Sequence, residues 1–340
     1  MPITRPELNE QAMLRLVESL RSRRMFSMTG AGLSAWAGYP LWPELLTRLQ
    51  TRVREVRDRE VDVDLIRTRY QHSPLEIAQK LGHELGNEFL PFLRAQFGPA
   101  GGRVLSQVLA QFASLPFQQH LTLNYDDSLE RAHPNGLLGC GSVTAASKED
   151  LIEFLERSDE PEYGKKVLHC HGLHSDRLED LILTESGYAA VYQDYPLLTS
   201  LYWSLLSTRR VLFAGFGFTD KDFLHTLNAW KRDTRVRAGH LRHFAIYGLR
   251  DGDNDEAERA RLASDYRIEP IFYEVLPEHD HSGFVDIVST LTQELGTFAP
   301  SRPALPGALP AEDINAGDEA RVEELVANMA NRTGGGLPNV

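Results

Sequence analysis

Short apolar runs and amphipathic stretches alternate along most of the chain. Six apolar runs predict strands, at 24–29, 120–125, 166–171, 210–215, 243–248 and 268–275. Between most of these runs, apolar residues recur at helical spacing, at 195–208, 220–232, 254–265 and 282–296. Strands that alternate with helices are typical of a parallel sheet with helices on both faces. We therefore predict an α/β fold, with a doubly wound, mostly parallel, Rossmann-like sheet of about six strands.

Three intervals depart from this alternation. Residues 51–115 are charge-rich and helical in period, so we expect an inserted helical module there. Residues 133–165 hold a glycine-rich loop and an acidic helix, and we expect an irregular excursion. From about 299 the chain becomes rich in proline. We predict one domain over 1–298 with the helical insertion at about 51–115, then a proline-rich linker and a C-terminal helix or tail over 299–340.

Charge and cysteine content exclude several classes of protein. The chain has 36 Lys and Arg against 48 Asp and Glu, and its formal net charge of −12 argues against direct binding to nucleic acid. Only Cys140 and Cys170 are present, so a four-thiolate zinc ribbon is impossible. The N-terminus has no apolar core of a signal peptide, and no apolar run approaches the roughly 18 residues of a membrane span. We expect a cytoplasmic protein without membrane contact.

A glycine-rich turn follows the first predicted strand. Glycines let the backbone approach a diphosphate, and a helix that begins there offers unpaired N–H groups. An ordinary tight turn is the alternative. A second element, Gly38-Tyr39-Pro40-Leu41-Trp42, lies just downstream, and its tryptophan covers either a ligand or the core. The candidate cofactor-binding residues of this region are Gly30, Ala31, Gly32, Ser34, Pro40 and Trp42.

Polar side chains stand at the ends of two further strands. Asn124 and Asp126 follow one apolar run, where ligands of parallel sheets bind and where unpaired polar groups are costly to bury. Asp126 could instead cap the next helix. His169 and His171 end another strand, and alternation along it puts both on one face. Because no carboxylate or thiol cluster completes a metal site, we expect no metal and a general acid or base role for a histidine.

A second glycine turn follows the strand at 210–215. It includes Gly215, Phe216, Gly217 and Asp220. Two glycine turns at separate strand ends suit a dinucleotide better than a mononucleotide.

The ordered set GAGLS…GYPLW, TLNYD, HCHG and GFGFTD resembles the sirtuin superfamily over roughly residues 20–290. It looks most like the zinc-free, sirtuin-like NAD-consuming domains of bacterial antiphage defence. Deacylating sirtuins carry Gly-Ile-Pro-Asp-Phe-Arg where this chain has Gly38 to Pro43, and Gln-Asn-Ile-Asp where it has Leu123 to Asp126. They also hold a zinc ribbon. These departures favour the defence-type branch.

The resemblance implies NAD as the substrate, with its diphosphate over Gly30–Ser34 and its adenosine half toward Gly215–Phe218. By resemblance, Asn124 orients the attacking water or the nicotinamide amide, and also binds the cofactor. His171 acts as the base, and Asp126 steadies the ribose or the polarity of the pocket. The products would be nicotinamide and ADP-ribose, or a cyclised form.

The implied role is that of an NAD hydrolase that depletes cellular NAD during antiphage defence. Such an activity requires control, and we expect a homo-oligomer or a separately encoded partner, such as an ATPase or a nucleic-acid-guided protein. The alternatives are an NAD-dependent protein deacylase and a non-catalytic NAD or ADP-ribose sensor. A hydride-transfer dehydrogenase fits less well, because an acidic residue at the end of a second strand is missing.

Overall fold

The computed structural model describes residues 6–57, 62–70, 73–99, 103–145, 147–194, 197–218, 221–233 and 243–297. Within these ranges there are seven strands, β1–β7: Met25–Thr29, His120–Thr122, Cys140–Thr144, Lys165–His169, Arg210–Ala214, His243–Leu249 and Ile268–Glu274. They form one sheet in the order β3-β4-β2-β1-β5-β6-β7. All neighbouring strands pair in parallel. The prediction of a doubly wound, Rossmann-like α/β fold is confirmed.

Helices connect the strands and cover both faces of the sheet. The described residues form fifteen α-helices, α1–α15: Pro6–Arg21, Ala31–Ser34, Trp42–Arg57, Val63–Arg69, Pro74–Leu85, Phe89–Phe97, Gln107–Ser114, Ser128–Ala132, Gly136–Gly139, Lys148–Arg157, Glu185–Ala189, Leu197–Thr208, Lys221–Asp233, Asp255–Tyr266 and Ser282–Leu295. Between β1 and β2 the described residues form helices and loops only, with α3–α7 between Trp42 and Ser114. That residues 51–115 are an inserted module stays a prediction.

The core consists of two apolar clusters, one on each face of the sheet. One contains Met25 of β1 together with residues of α1, α3, α5 and α15. The other contains Phe26 and Met28 of β1 with residues of α12 and α13. All five residues of β1 are buried, which is typical of a central parallel strand covered on both faces. This burial holds the end of β1 at a fixed place in the middle of the sheet.

The strand β3 was missed by the sequence analysis, which predicted an irregular excursion at 133–165. β3 lies at the edge of the sheet and pairs with β4 alone, and it contains a glycine and two hydroxyl side chains. An edge strand needs no continuous apolar run, because only part of it is buried. The sheet therefore has seven strands where about six were predicted.

Two strands are shorter at their carboxyl ends than the hydrophobic pattern predicts. β2 ends at Thr122 instead of 125, and β4 ends at His169 instead of 171. Consequently Asn124 and His171 lie in the loops beyond the strands. No helix in the part of the chain that the structure describes is long and apolar enough to cross a membrane.

Candidate functional site

The point where the strand order reverses lies between β1 and β5, and each of these strands runs into a glycine turn. β1 pairs with β2 on one side and with β5 on the other. The N–H of Gly30 donates to the carbonyl of Ala214 at 3.1 Å, and the N–H of Gly32 donates to the carbonyl of Gly215 at 3.0 Å. In open parallel sheets such a reversal point is where ligands bind. The two glycine N–H groups, however, are already engaged by β5 and its turn.

The glycines are required by the contact between the two turns themselves. A Cβ on Gly215 would lie 2.1 Å from the nitrogen of Leu33, and a Cβ on Gly30 would lie 2.6 Å from the carbonyl oxygen of Gly215. Gly215 also has a φ of +62°, which disfavours any residue with a side chain. The structure thus brings the two separately predicted turns into direct backbone contact. We call this contact between Gly30–Leu33 and Gly215 the seam.

The side chain of Asn124 joins the loop after β2 to the first glycine turn. Its Nδ2 donates to the carbonyl of Gly30 at 3.0 Å and to the hydroxyl of Ser34 at 2.7 Å. Its backbone N–H donates to Oγ1 of Thr122 at 3.1 Å, which turns the chain out of β2. Asn124 is only 8% exposed. The structure therefore places three predicted site residues, Asn124, Gly30 and Ser34, in direct contact.

Asp126 is a buried carboxylate beside this contact. It accepts hydrogen bonds from the backbone N–H of Ser128, at 3.1 Å, and from the Ser128 hydroxyl. Burial raises the pKa of Asp126, and the hydroxyls of Ser128 and Ser34 oppose that shift in part. The capping alternative is partly observed, since Asp126 contacts the first residue of α8. Its link to Ser34 also places it within the Asn124 cluster.

His171 lies in the turn after β4 and is 2% exposed. Its Nε2 is 3.0 Å from the hydroxyl of Tyr192, and its Nδ1 is 3.5 Å from that of Tyr188. The two tyrosine rings stack, with centroids 5.5 Å apart. Tyr192 belongs to a π-helical turn, Ala190–Asp194, a rare element that often marks functional sites.

The sequence left the tyrosines of TESGYAAVYQDY undecided between the pocket and a subunit contact. The structure places Tyr188 and Tyr192 on His171, while Tyr195 lies outside the described residues. The signal that could have found them was their spacing of four residues, which brings side chains together on a helical turn.

The two histidines of HCHG do not share an environment, so the predicted alternation is wrong for this pair. His169 is the last residue of β4 and hydrogen-bonds to the carbonyl of Asn124 and to Glu130. His171 lies beyond the strand, where alternation no longer applies, and contacts the tyrosines instead. Glu130 was missed by the sequence analysis because nothing in the helix SLERA marks it.

Asn124 and His171 each follow a paired residue at the end of one of two neighbouring strands. Thr122 of β2 pairs with His169 of β4, and each candidate residue follows two positions later. Their hydrogen bonds nevertheless lead to different partners, the glycine turn for Asn124 and the tyrosine pair for His171. That both side chains act on one ligand atom stays a prediction.

The remaining predicted site residues flank the seam or the core. Pro40 is buried, and Trp42 is the first residue of α3 and packs against the apolar cluster of its own face, as in the core alternative. Phe216 is half-buried against Phe213, with ring centroids 5.6 Å apart. Ala31 and Gly217 are exposed. Asp220 lies outside the described residues.

The loop of Tyr39 is tied to α8 by Arg131, whose Nη2 donates to the Tyr39 hydroxyl at 3.0 Å. Burial chiefly raises the pKa of Tyr39 to about 12. Among the residues that the structure describes, no group of three or more His, Cys, Asp or Glu could hold a metal ion.

The chain is similar in sequence to several known proteins. Residues 118–271 match the family model of the SIR2-like domain. The chain is similar to an NAD(+) hydrolase ThsA of Acinetobacter baumannii, at 26% identity over 71% of this chain and 46% of the relative. It is 25% identical to an NAD(+) hydrolase ThsA of Enterococcus faecium, over 63% of this chain and 41% of the relative. It is also 21% identical to the defense-associated sirtuin 2 of Bacillus subtilis, over 67% and 21% of the two chains. The chain therefore spans less than half the length of these curated relatives.

Proposed function

We propose that the chain hydrolyses NAD+ to nicotinamide and ADP-ribose, and that it acts in antiphage defence by depleting cellular NAD+; the match of residues 118–271 to the SIR2-like domain supports this. The observation that carries the proposal is the contact of the Asn124 amide with the glycine turn at the reversal point of the sheet. An amide at that place can orient a substrate group without itself reacting. The names of the similar NAD(+) hydrolases and of the defence-associated sirtuin support the same activity and setting.

In the reaction, the bond between the nicotinamide nitrogen and C1′ of the ribose breaks, and a bond from water oxygen to C1′ forms. Nicotinamide leaves as a neutral ring, and one proton of the water is released. The transition state resembles an oxocarbenium ion, so the residues must hold the water and exclude the bulk solvent. Asn124, two residues beyond β2, would orient the water or the nicotinamide amide.

His171 is suited to accept the proton because each of its ring nitrogens lies next to a phenol hydroxyl, at 3.0 Å for Tyr192 and 3.5 Å for Tyr188. A neutral imidazole can donate to one phenol oxygen and accept from the other. In the proposed complex, water or a ribose hydroxyl replaces Tyr192 at Nε2 of His171. Asp126 would set the polarity of the pocket from its buried position.

Both candidate residues are closed off in this structure, at 8% exposure for Asn124 and 2% for His171. Substrate therefore reaches them only when covering side chains move, and Tyr188 and Tyr192 are the groups that must leave His171. A site that is closed in the resting chain suits an enzyme whose activity would harm its own cell. We propose that the protein is cytoplasmic and that a homo-oligomer, or a separately encoded ATPase or nucleic-acid-guided partner, controls this opening.

The test is nicotinamide release from NAD+ by the purified full-length chain. We expect Asn124→Ala and His171→Ala each to lower the rate by about 100-fold or more, as for the loss of a positioned base or orienting group. Asn9→Ala is the matched control, since Asn9 is also an amide that bridges elements, from α1 to the backbone of Phe272 in β7. It should keep the wild-type rate.

Other outcomes would contradict the proposal in distinct ways. Turnover that requires an acetylated peptide would indicate a deacylase. NAD+ binding without any nicotinamide release would indicate a sensor. Equal loss in Asn9→Ala and Asn124→Ala would show that Asn124 has only a structural role.

A further inference from the structure

His169 has both ring nitrogens in hydrogen bonds with groups that only accept. Its Nδ1 lies 3.0 Å from the carbonyl oxygen of Asn124, and its Nε2 lies 2.7 Å from Oε1 of Glu130. A neutral imidazole carries one N–H, whereas two acceptors require two. Unless Glu130 holds the second proton, His169 is an imidazolium.

The surroundings favour the charged form of the pair. The side chains of His169 and Glu130 are both fully buried. The charge of Glu130 raises the pKa of His169 against the opposing effect of burial, and the charge of His169 helps to lower the pKa of Glu130. Ser142 of β3 also donates to Oε1 of Glu130, at 2.6 Å. Asp126 and His174 are the other titratable groups whose charges couple to His169.

The pair of His169 and Glu130 contacts Asn124, the residue whose side chain bonds to the first glycine turn. Asn124 is held at its backbone N–H by Thr122, at its side-chain amide by Gly30 and Ser34, and at its carbonyl by His169. Glu130 anchors His169 to α8, so the loop after β2 is tied to the helix that follows it. A buried ion pair is weak evidence for stability, and its use here is the fixed geometry it imposes.

We propose that His169, held as an imidazolium between Glu130 and Asn124, is a positioning residue that fixes the backbone of Asn124 and so directs its amide at the glycine turn. This inference rests on the proposed function for its catalytic consequence, but not for its structural one. His169 itself cannot be the base, because an imidazolium carries a proton on both ring nitrogens and has no lone pair left to accept another. The second histidine of HCHG is thereby left for proton transfer.

The first test measures geometry without activity. In the full-length chain labelled with 15N-histidine, the resonance assigned by its loss in His169→Gln should show both ring nitrogens protonated at pH 7. Glu130→Gln should abolish that double protonation. In uniformly 15N-labelled chain, the side-chain amide resonance of Asn124, assigned by its loss in Asn124→Ala, should shift in both variants. A neutral His169, or an unmoved Asn124 amide, overturns the proposal.

The second test measures turnover against a matched control. His120 is also a fully buried strand histidine, bonded to the Ser27 hydroxyl at 2.7 Å, at the opposite end of β2. We expect His169→Gln and Glu130→Gln to lower kcat for nicotinamide release by about 10- to 100-fold with KM changed far less, as for second-layer partners of reacting groups. His120→Gln should change kcat by less than about twofold, since it lies outside the site.

The two tests distinguish a failure of the positioning role from a failure of the proposed function. If His169→Gln does not fold, Glu130→Gln serves in both tests, because the amide removes the negative charge that holds the second proton on His169, and the histidine resonance that loses this proton is then assigned to His169. An equal kcat loss in His120→Gln would reduce His169 to a structural role. A wild-type chain without turnover, but with the imidazolium and the Asn124 shift observed, would refute the proposed function and leave the positioning intact.

Discussion

Replacing Gly215 by alanine tests the seam between the two glycine turns. Gly215 follows β5, and a Cβ built on it lies 2.1 Å from the nitrogen of Leu33 and 2.8 Å from the carbonyl carbon of Gly32. Both neighbours are backbone atoms, so no side chain can rotate away. The two turns must separate to admit the methyl group.

The magnitude follows from two contributions. At a φ of +62° an L-residue costs about 1–2 kcal/mol, and overpacking against fixed neighbours costs about 1–3 kcal/mol more. We therefore expect Gly215→Ala to lower the free energy of unfolding by about 2–5 kcal/mol. Gly38→Ala is the matched control, because Gly38 has a φ of +79° and a Cβ there meets nothing within 4 Å. It should cost only about 1–2 kcal/mol.

Urea unfolding of the three proteins, followed by circular dichroism, measures the difference. The variant at 215 should also lose NAD+ hydrolysis beyond what its stability explains, since the seam carries Gly30, the acceptor of the Asn124 amide. If Gly215→Ala unfolds at the same urea concentration as Gly38→Ala, the turns are not in the contact described, and the site built on them fails.

Three further outcomes are expected. Burial raises the pKa of Asp126 above its ordinary value of 3.8, so ionising this carboxyl costs more in the folded than in the unfolded chain. The stability of the wild type relative to Asp126→Asn should therefore fall as the pH rises from 3.8 through the folded-state pKa. A pH-independent difference between the urea midpoints of the two proteins would contradict this. Asp126→Asn should also slow nicotinamide release, as measured beside Asn124→Ala, whereas an unchanged rate would remove Asp126 from the site. Tyr192→Phe removes the hydroxyl that contacts His171 Nε2 and should raise kcat/KM for NAD+ in steady-state assays. Tyr163→Phe is the control and should leave kcat/KM unchanged, because Tyr163 lies in the short helical turn Pro161–Tyr163 before β4. A lower rate in Tyr192→Phe would show that the phenol assists catalysis instead.

The sheet and both glycine turns could be predicted because buried parallel strands are continuous apolar runs that end abruptly in glycine. The strand β3 could not, because Cys140–Thr144 is an edge strand whose glycine and hydroxyls leave no such run. The ends of β2 and β4 were placed two or three residues too late, since apolar residues continue into the loops. That error put His169 and His171 on one face.

The site residues that could be predicted from the sequence are those that closely follow a predicted strand. Asn124, Gly30 and Ser34 follow strands, and the parallel order of the sheet brings their ends together. The partners of the histidines depend on long-range packing instead. Glu130 lies 39 residues before His169, and the tyrosines reach His171 from a helix and a π-helical turn with no distinctive motif.

The central claim is that the amide at the end of β2 serves NAD+ hydrolysis. The most direct measurement is a chromatographic analysis of NAD+ after incubation with the full-length wild type, with Asn124→Ala and with Asn9→Ala. We predict equal amounts of nicotinamide and ADP-ribose from the wild type and from Asn9→Ala, and almost none from Asn124→Ala. Intact NAD+ in every sample, or the same products from Asn124→Ala, would contradict the account.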